Sequence, residues 1–317
     1  MRPLTGPLTD AELLRELEPA TASALARHLA VAPEWFPHEL VPWSRGRDFD
    51  GAAGEPWAPE QSAVAPPVRA ALELNLLTED NLPSYHLALM TSFAGDGAWG
   101  EWIRRWTAEE GRHAAAIRDY LLVSRAVDPV ALERDRMVAV SRGWTATTAG
   151  PLDALAYGAL QELATRVAHR NTGRLSGDPV AERLLARVAA DENLHMVLYR
   201  DVMAAALELA PEQAVPAIER ELRAFRMPGA AVPGFARRSV QIADAGVYDV
   251  RIHRAEVVAP LLRHWRALSL PLRTADAQLA QAGIAGHLDE LELMAARYER
   301  RRDARLATAP EAPSPGA

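Results

Sequence analysis

A Glu-x-x-His motif occurs twice in the sequence, each time in a stretch with helical periodicity. One motif is Glu110 with His113, and the other is Glu192 with His195. Residues three apart lie on one face of a helix, about 4.5 Å apart along its axis. In both stretches this face is otherwise apolar and should be buried. An isolated carboxylate buried there would cost several kcal/mol, so these residues require charged partners or a metal.

A further glutamate precedes each motif at nearly the same distance. Glu79 lies 31 residues before Glu110, and Glu162 lies 30 residues before Glu192. Both lie on apolar helical stripes, and each motif is directly preceded by an acid, in Glu109-Glu110 and Asp191-Glu192. Single Glu-x-x-His matches are weak evidence, because they also arise by chance. The repeated order, however, predicts two similar helical hairpins.

Four carboxylates and two imidazoles from four helices are the ligand set of a binuclear metal site in a four-helix bundle. These ligand types suit iron or manganese, and no cysteine is present to favour copper or zinc. The alternative is a set of buried ion pairs with Arg112, Arg166 or Arg170. We favour the metal site because ion pairing does not account for six residues in a repeated order.

The composition excludes other chemistry. The chain has 317 residues, no cysteine, and only arginine among its 35 basic residues. It can therefore form no disulfide, no cysteine-bound cluster and no lysine Schiff base. The net charge of −7 disfavours nonspecific binding to nucleic acid. No run of 18 apolar residues and no signal-peptide pattern are found, so we expect no transmembrane segment and a cytoplasmic location.

Helical periodicity dominates the chain and predicts an all-α fold. Thr9 and Glu12 predict a capping box at the start of a helix that ends near residue 30. The proline-rich stretch at 31–67 should be an irregular segment that wraps the core. Pro83 should kink the next helix. We predict helices at 68–94, 98–123, 129–143, 152–173, 178–208, 212–226, 251–269 and 273–305, with a turn at 228–234.

No break in composition divides the chain. We therefore expect one helical domain over residues 1–307 and a disordered tail over 308–317, where proline and small residues predominate.

The segments around these residues resemble the soluble acyl-[acyl-carrier-protein] desaturases, particularly their actinobacterial branch. The resemblance extends over about residues 30–270 and also includes PWSRGRDF around Trp43. It implies a ferritin-like four-helix bundle with additional helices and a di-metal site in the bundle core. The matching segments are TEDNLPSYH (78–86), WTAEEGRH (106–113), LQELATRVAHRNTG (160–173) and AADENLHMVLYRD (189–201).

By this resemblance, the six residues of the repeated pattern are the metal ligands, with Glu110 and Glu192 bridging two metals. The ligands would be Glu79, Glu110, His113, Glu162, Glu192 and His195. Asp191, Trp43 and Thr165 match positions beside the metals. For Thr165 the alternative is an ordinary buried hydroxyl, bonded to the carbonyl four residues earlier.

Two positions depart from the family pattern. Gly111 stands where the family usually has Asn, and Leu194 stands where the plant sequences have Arg. A glycine within a helix costs about 1 kcal/mol relative to alanine. We therefore expect close packing or a local distortion of the helix at Gly111.

The resemblance also implies a function. The protein would use O2 and two electrons from a ferredoxin-type donor to introduce a cis double bond into a fatty acyl chain on acyl carrier protein. Its cofactor would be two iron ions per chain, with manganese still possible, and the family is usually homodimeric. Leu89, Thr91 and Tyr157 are candidates for the acyl channel, although core packing is the more common role of such residues. The arginines at 237–238 and 300–302 are candidates for carrier docking, although a solvated surface is the favoured interpretation, and no residue is assigned to either role.

Other functions remain open from the sequence. A hydroxylase or other oxygenase of a carrier-bound substrate could have identical ligands. An iron-storage protein of the ferritin type is disfavoured, because such subunits are shorter and lack the additional segments. A relative that binds no metal is disfavoured by the six intact ligand positions.

Overall fold

The structure is a computed structural model that describes residues 6–50, 54–145, 148–232 and 234–308. Helices are the only regular secondary structure among these residues. This confirms the predicted all-α fold. The helices are α1 Asp10–Val31, α2 Pro37–Leu40, α3 Pro66–Glu79, α4 Leu82–Ser92, α5 Gly97–Val123, α6 Pro129–Arg142, α7 Pro151–Leu175, α8 Pro179–Leu209, α9 Pro211–Ala224, α10 Phe235–Asp244, α11 Val250–Ile252, α12 Ala259–Trp265 and α13 Ala275–Thr308.

Local sequence accounts for several helix starts. At the start of α1, the Thr9 amide donates to Glu12 Oε2 over 2.9 Å, and the Glu12 amide donates to Thr9 Oγ1 over 3.3 Å, which confirms the predicted capping box. Asp128 and Asp178 cap α6 and α8 with their carboxylates. Both of these helices continue with a proline, whose missing N–H is not needed in the first turn.

Four helices form the central bundle. Helix α3 packs against α5 and α7, and α8 packs against the same two helices. Helix α1 covers α5 and α8, while α9 and α13 add a layer on the side of α7. Large buried side chains fill the core between these helices, with Trp102 packed edge-on against Tyr199 at 5.6 Å between ring centroids. The bundle holds α3, α5, α7 and α8, the four helices that carry the repeated pattern.

The helix predicted at 68–94 is two helices instead of one kinked helix. Helix α3 ends at Glu79, and α4 begins at Leu82 with Pro83 in its first turn. A proline is tolerated there, so Pro83 starts a helix. The helix that carries Glu79 therefore ends at that residue, and His86 lies on α4, with Nδ1 2.8 Å from the hydroxyl of Thr107.

The chain outside the bundle shows further differences from the predictions. Helix α10 was not predicted, because no helix was assigned between residues 226 and 251. The predicted turn contains a 3₁₀ turn at Pro228–Ala231 and Gly234 with φ of +75°. The predicted helix at 251–269 begins at Val250, includes a π-helical stretch at His253–Val258, and ends at Trp265.

The proline-rich stretch after α1 does wrap the bundle. It contains the short helix α2, which contacts both α5 and α8, and two 3₁₀ turns, at Trp43–Arg45 and Pro59–Gln61. The tail predicted at 308–317 lies outside the described residues, except for Thr308 at the end of α13. Within the described chain, none of the helices is both long and apolar enough to cross a lipid bilayer.

Candidate metal centre

The four bundle helices bring all six residues of the repeated pattern into one buried cluster. Helix α3 contributes its last residue, α7 contributes one glutamate from its middle, and α5 and α8 each contribute one Glu-x-x-His motif. Each of these residues is at most 5% exposed: Glu79, Glu110, His113, Glu162, Glu192 and His195.

The six residues form two groups of four that could each hold a metal ion. Within each group, one ligand atom per residue lies within 4.8 Å of the others. Both groups contain Glu110 and Glu192, so that the same two carboxylates can face two ions. The first group is completed by Glu79 and His113, and the second by Glu162 and His195.

The inner nitrogens of both histidines face this cluster. His195 Nδ1 lies 2.8 Å from Glu110 Oε1, and His113 Nδ1 lies 3.3 Å from Glu110 Oε2. Yet neither Nδ1, nor Glu110 Oε1, has a partner in hydrogen-bonding geometry among the described residues. Buried polar atoms are normally paired. Nitrogen and oxygen atoms that converge without hydrogen bonding fit the coordination of metal ions.

The carboxylates of the cluster concentrate negative charge away from water. Burial raises the pKa of Glu79 and of Glu192 well above the ordinary value, and the nearby charge of Glu110 raises both further. Burial also acts on Glu110, but His113 and His195 outweigh it and hold its pKa well below the ordinary value. Such a cluster needs protons or metal cations to balance its charge.

The acid that precedes each motif contacts the histidine of the other motif. Glu109 Oε2 lies 2.9 Å from His195 Nε2, and Asp191 Oδ2 lies 3.4 Å from His113 Nε2. Successive residues on a helix point about 100° apart, so the acid beside Glu110 and the acid beside Glu192 each face the neighbouring helix. A carboxylate at Nε2 keeps the ring proton there and leaves Nδ1 free to bind a metal.

Glu109 also binds two residues of other segments. His28 of α1 places Nε2 2.9 Å from Glu109 Oε2, and Arg105 donates to Glu109 Oε1 over 2.6 Å. Burial raises the pKa of Glu109, but the hydrogen bonds from His195 and His28 lower it well below its usual range. The acid before each motif was a usable sequence signal for Glu109. No sequence signal indicated His28.

The two outer glutamates are held by different partners. His169 Nε2 lies 3.1 Å from Glu79 Oε1, and the Asn75 amide lies 3.2 Å from His169 Nδ1. Burial, with the nearby charge of His113, lowers the pKa of His169 to about 3, so the ring is neutral. It therefore accepts from Asn75 and donates to Glu79. On the other side, Trp106 Nε1 donates to Glu162 Oε1 over 2.9 Å.

The expected position of Trp43 beside the metals is wrong. This residue is 51% exposed, and its indole N–H donates to the carbonyl of His38 over 2.9 Å. Trp35 takes this place instead, because it lies two residues before the short helix α2, which packs on α5 and α8. Its Nε1 donates to Asp191 Oδ2 over 2.7 Å, and its ring stacks on His113 with centroids 6.3 Å apart.

The Thr165 hydroxyl makes the hydrogen bond to the carbonyl four residues earlier that was the alternative to a place beside the metals. It lies 3.1 Å from the carbonyls of Gln161 and Glu162, and the Thr165 side chain also lines the cavities beside the cluster. The expectation for Gly111 is wrong. Helix α5 continues regularly through this exposed residue, and an added Cβ would meet only Leu82 Cδ2, at 3.9 Å.

The ion-pair alternative does not account for the cluster. Arg112 binds Asp191 over 3.1 Å, and Arg170 binds Glu256 over 2.5 Å. Arg166 makes no ion pair with any described residue. None of these arginines reaches the six clustered side chains within the described chain.

Two mostly apolar cavities lie beside the cluster, and both are lined by Thr78, Glu79 and Thr165. The first extends towards α4 and includes Leu89 and Tyr157 in its wall, two of the three channel candidates. Thr91 does not line it, because its hydroxyl donates to the carbonyl of Leu87 at the exposed face of α4. The second cavity lies between α3, α7 and α10, where its wall includes Met227 and Phe235.

A helical bundle with this set of buried glutamates and histidines has the architecture of the ferritin-like di-metal carboxylate proteins. The family model described as fatty acid desaturase matches residues 9–312. The DesA1 protein of Mycobacterium tuberculosis, which carries the name of an acyl-[acyl-carrier-protein] desaturase, is 45% identical over 304 residues, or 93% of this chain and 90% of DesA1.

A plant protein and a solved structure are also similar to this chain. The chloroplastic acyl-[acyl-carrier-protein] desaturase 6 of Oryza sativa subsp. japonica is 33% identical over 82% of this chain and 67% of its own length. The X-ray structure of DesA2 from Mycobacterium tuberculosis superposes with a TM-score of 0.70 at 29% identity, covering 82% of this chain and 96% of DesA2. The chain belongs to the acyl-[acyl-carrier-protein] desaturase family and is therefore an enzyme of the oxidoreductase class.

Proposed function

We propose that this protein is an O2-dependent di-iron acyl-[acyl-carrier-protein] desaturase. It introduces a cis double bond into a fatty acyl chain bound to acyl carrier protein, with two electrons from a ferredoxin-type donor. The names of its relatives support the substrate class. The observation that carries the proposal is the pair of ligand groups that share Glu110 and Glu192 and border a mostly apolar cavity.

Six residues would hold the two metal ions, with Glu110 and Glu192 between them. When bound, the metal ions supply the activation of O2 and the oxidising power. Iron fits the carboxylate and imidazole donors, and manganese fits them as well. Glu109 and Asp191 keep the imidazole protons on Nε2, so that Nδ1 of each histidine can bind its ion.

The cavities would position the acyl chain. A saturated chain has no polar group near the reacting carbons, so orientation must come from the shape of the binding site. The cavity between α3, α7 and α10 and the cavity towards α4 share Glu79 and Thr165 in their walls. An acyl chain that occupies both would therefore pass directly beside the cluster, and apolar walls would keep water from the reacting carbons.

Family membership alone supports an inference about the oligomeric state. We infer a homodimer, which size-exclusion chromatography with light scattering measures directly. A monomeric mass at micromolar concentration would contradict this part of the proposal without affecting the proposed reaction.

The test is incubation with a panel of acyl carrier proteins, ferredoxin, ferredoxin reductase and O2, followed by mass spectrometry. Loss of two mass units from the acyl chain supports desaturation. A gain of sixteen would instead show oxygen insertion, and no product across the panel would reject the proposal.

The metal assignment has its own test. We expect about two iron ions per chain after anaerobic reconstitution, because the cluster forms two ligand groups. Glu110→Ala and His195→Ala should both lower the iron content measured by mass spectrometry. Full iron content in both variants would contradict the assignment.

A further inference from the structure

The cavity towards α4 has two buried polar atoms in its wall that lack hydrogen-bond partners. They are the Tyr85 hydroxyl on α4 and Gln161 Oε1 on α7. Neither atom has a partner in hydrogen-bonding geometry among the described residues, so they do not bond to each other either. Buried polar atoms are normally paired, because leaving one unpaired costs free energy. A group bound in this cavity is therefore the natural partner of both atoms.

Two other hydroxyls in this wall do have partners. The Thr165 hydroxyl is bonded to two backbone carbonyls, and the Tyr157 hydroxyl donates to the carbonyl of Arg226 over 3.4 Å. The Tyr85 ring packs edge-on against Trp144, with centroids 5.3 Å apart, which holds the ring in position. The missing partners are therefore not a general property of the wall.

The positions on both helices direct these two atoms towards the same space. Helix α7 lines the cavity with Gly158, Gln161 and Thr165, which are three and four residues apart and so share one face. Helix α4 lines it with Tyr85 and Leu89, which are also one turn apart. The cavity has a volume of about 80 Å³. This volume exceeds the roughly 10 to 15 Å³ that one water molecule needs.

Hydrogen-bond chemistry limits which group can satisfy both atoms. Burial raises the pKa of Tyr85 well above its ordinary value, and the nearby charges of Tyr157, Glu79 and Glu110 raise it further, so this hydroxyl keeps its proton and can donate it. Gln161 Oε1 can only accept. A carbonyl or ether oxygen would accept from the first but could not donate to the second, and the nearby carboxylates disfavour an anion. A hydroxyl group both donates and accepts.

We propose that Tyr85 and Gln161 form a subsite for a neutral hydroxyl group in the wall of the cavity beside the cluster. The hydroxyl belongs either to a water molecule or to the acyl chain itself, which would then be a hydroxylated substrate. The second source rests on the proposed function, and the first does not. With a hydroxylated chain, the subsite would fix which carbons lie beside the cluster, a role that the apolar walls alone fill for a plain chain.

Binding of hydroxylated acyl chains tests the substrate as the source. The probes are octadecanoyl carrier protein and a positional series of mid-chain hydroxyoctadecanoyl carrier proteins, titrated calorimetrically into the iron-reconstituted protein without an electron donor. One isomer should bind about tenfold more tightly than the plain chain. Tyr85→Phe and Gln161→Leu should each remove most of this preference. Tyr157→Phe, the matched control in the same wall, should retain it, because that hydroxyl already donates to a carbonyl.

High-resolution crystal structures test water as the source. In that case no isomer is preferred, and an ordered water lies within hydrogen-bonding distance of the Tyr85 hydroxyl and Gln161 Oε1. Tyr85→Phe should lose this water, whereas Tyr157→Phe should keep it. Because Gln161 directly precedes Glu162, the iron content of Gln161→Leu is measured as well, and isostructural Tyr85→Phe decides the test if that content falls.

Two results would overturn the proposal. One is the absence of both an isomer preference and an ordered water in the unchanged protein. The other is a preference or a water that persists unchanged in Tyr85→Phe. A chain that binds the acyl carrier proteins but shows no desaturase activity would reject the proposed function and leave both tests intact, since neither requires turnover.

Discussion

Replacing Glu109 by glutamine should weaken metal binding at the group that contains His195, although Glu109 belongs to neither ligand group. Its carboxylate contacts Nε2 of both His195 and His28 at 2.9 Å, and also accepts from Arg105. A neutral amide cannot replace these charge-assisted contacts. Loss of such a partner typically lowers metal affinity about 10- to 100-fold, or about 1.4 to 2.8 kcal/mol.

A double-mutant cycle can show which histidine Glu109 supports. In a His195→Ala background, Glu109→Gln should cost little more, because the imidazole that it orients is gone. In a His113→Ala background, it should retain its full effect. Asp191→Asn, the matched control, should show the reverse pattern. Anaerobic Fe²⁺ titration calorimetry measures each affinity, and coupling of Glu109 to His113 instead of His195 would refute the reasoning.

Three substitutions test the packing and the charge outside the ligand set. Gly158→Ala should destabilise the fold by about 1 to 3 kcal/mol in urea unfolding, because the added Cβ would lie 3.0 Å from the ring of Tyr199. Gly111→Ala should stabilise it by about 1 kcal/mol, because that helical site is exposed; similar values for both would contradict the packing described here. Burial, with the nearby charge of Asp153, raises the pKa of Glu221 from 4.5 to about 7. The folded state then binds more protons than the unfolded state between these values, so stability falls as pH rises through this window. Glu221→Gln should therefore raise the melting temperature at pH 8 more than at pH 5, and equal shifts at both would argue against a raised pKa.

The sequence by itself was sufficient to identify the bundle helices and the residues that meet between them. A period of 3.6 residues places Glu110 and His113 on one face, and the same holds for Glu192 and His195. The apolar stripe on that face indicates burial. The spacing and the apolar stripe both belong to one helix, so a short stretch of sequence is enough to recognise them. Their repetition in a second stretch indicated that the two sets of residues meet at one site.

The contacts around the cluster depended on the tertiary structure. The crossing of Glu109 and Asp191 to the opposite histidines follows from how α5 and α8 face each other. His28 reaches the site only because α1 packs across both helices. No local sequence pattern predicts contacts between residues that are 78 or more positions apart in the chain.

The same reason explains the wrong assignment of Trp43. Trp35 and Trp43 both lie in the proline-rich segment, and the sequence contains no period that selects one of them. The path of that segment over α5 and α8 places Trp35 against Asp191 and leaves Trp43 half-exposed. Helical periodicity therefore determined which residues form the cluster, whereas packing between distant segments decided which side chains hold it in place.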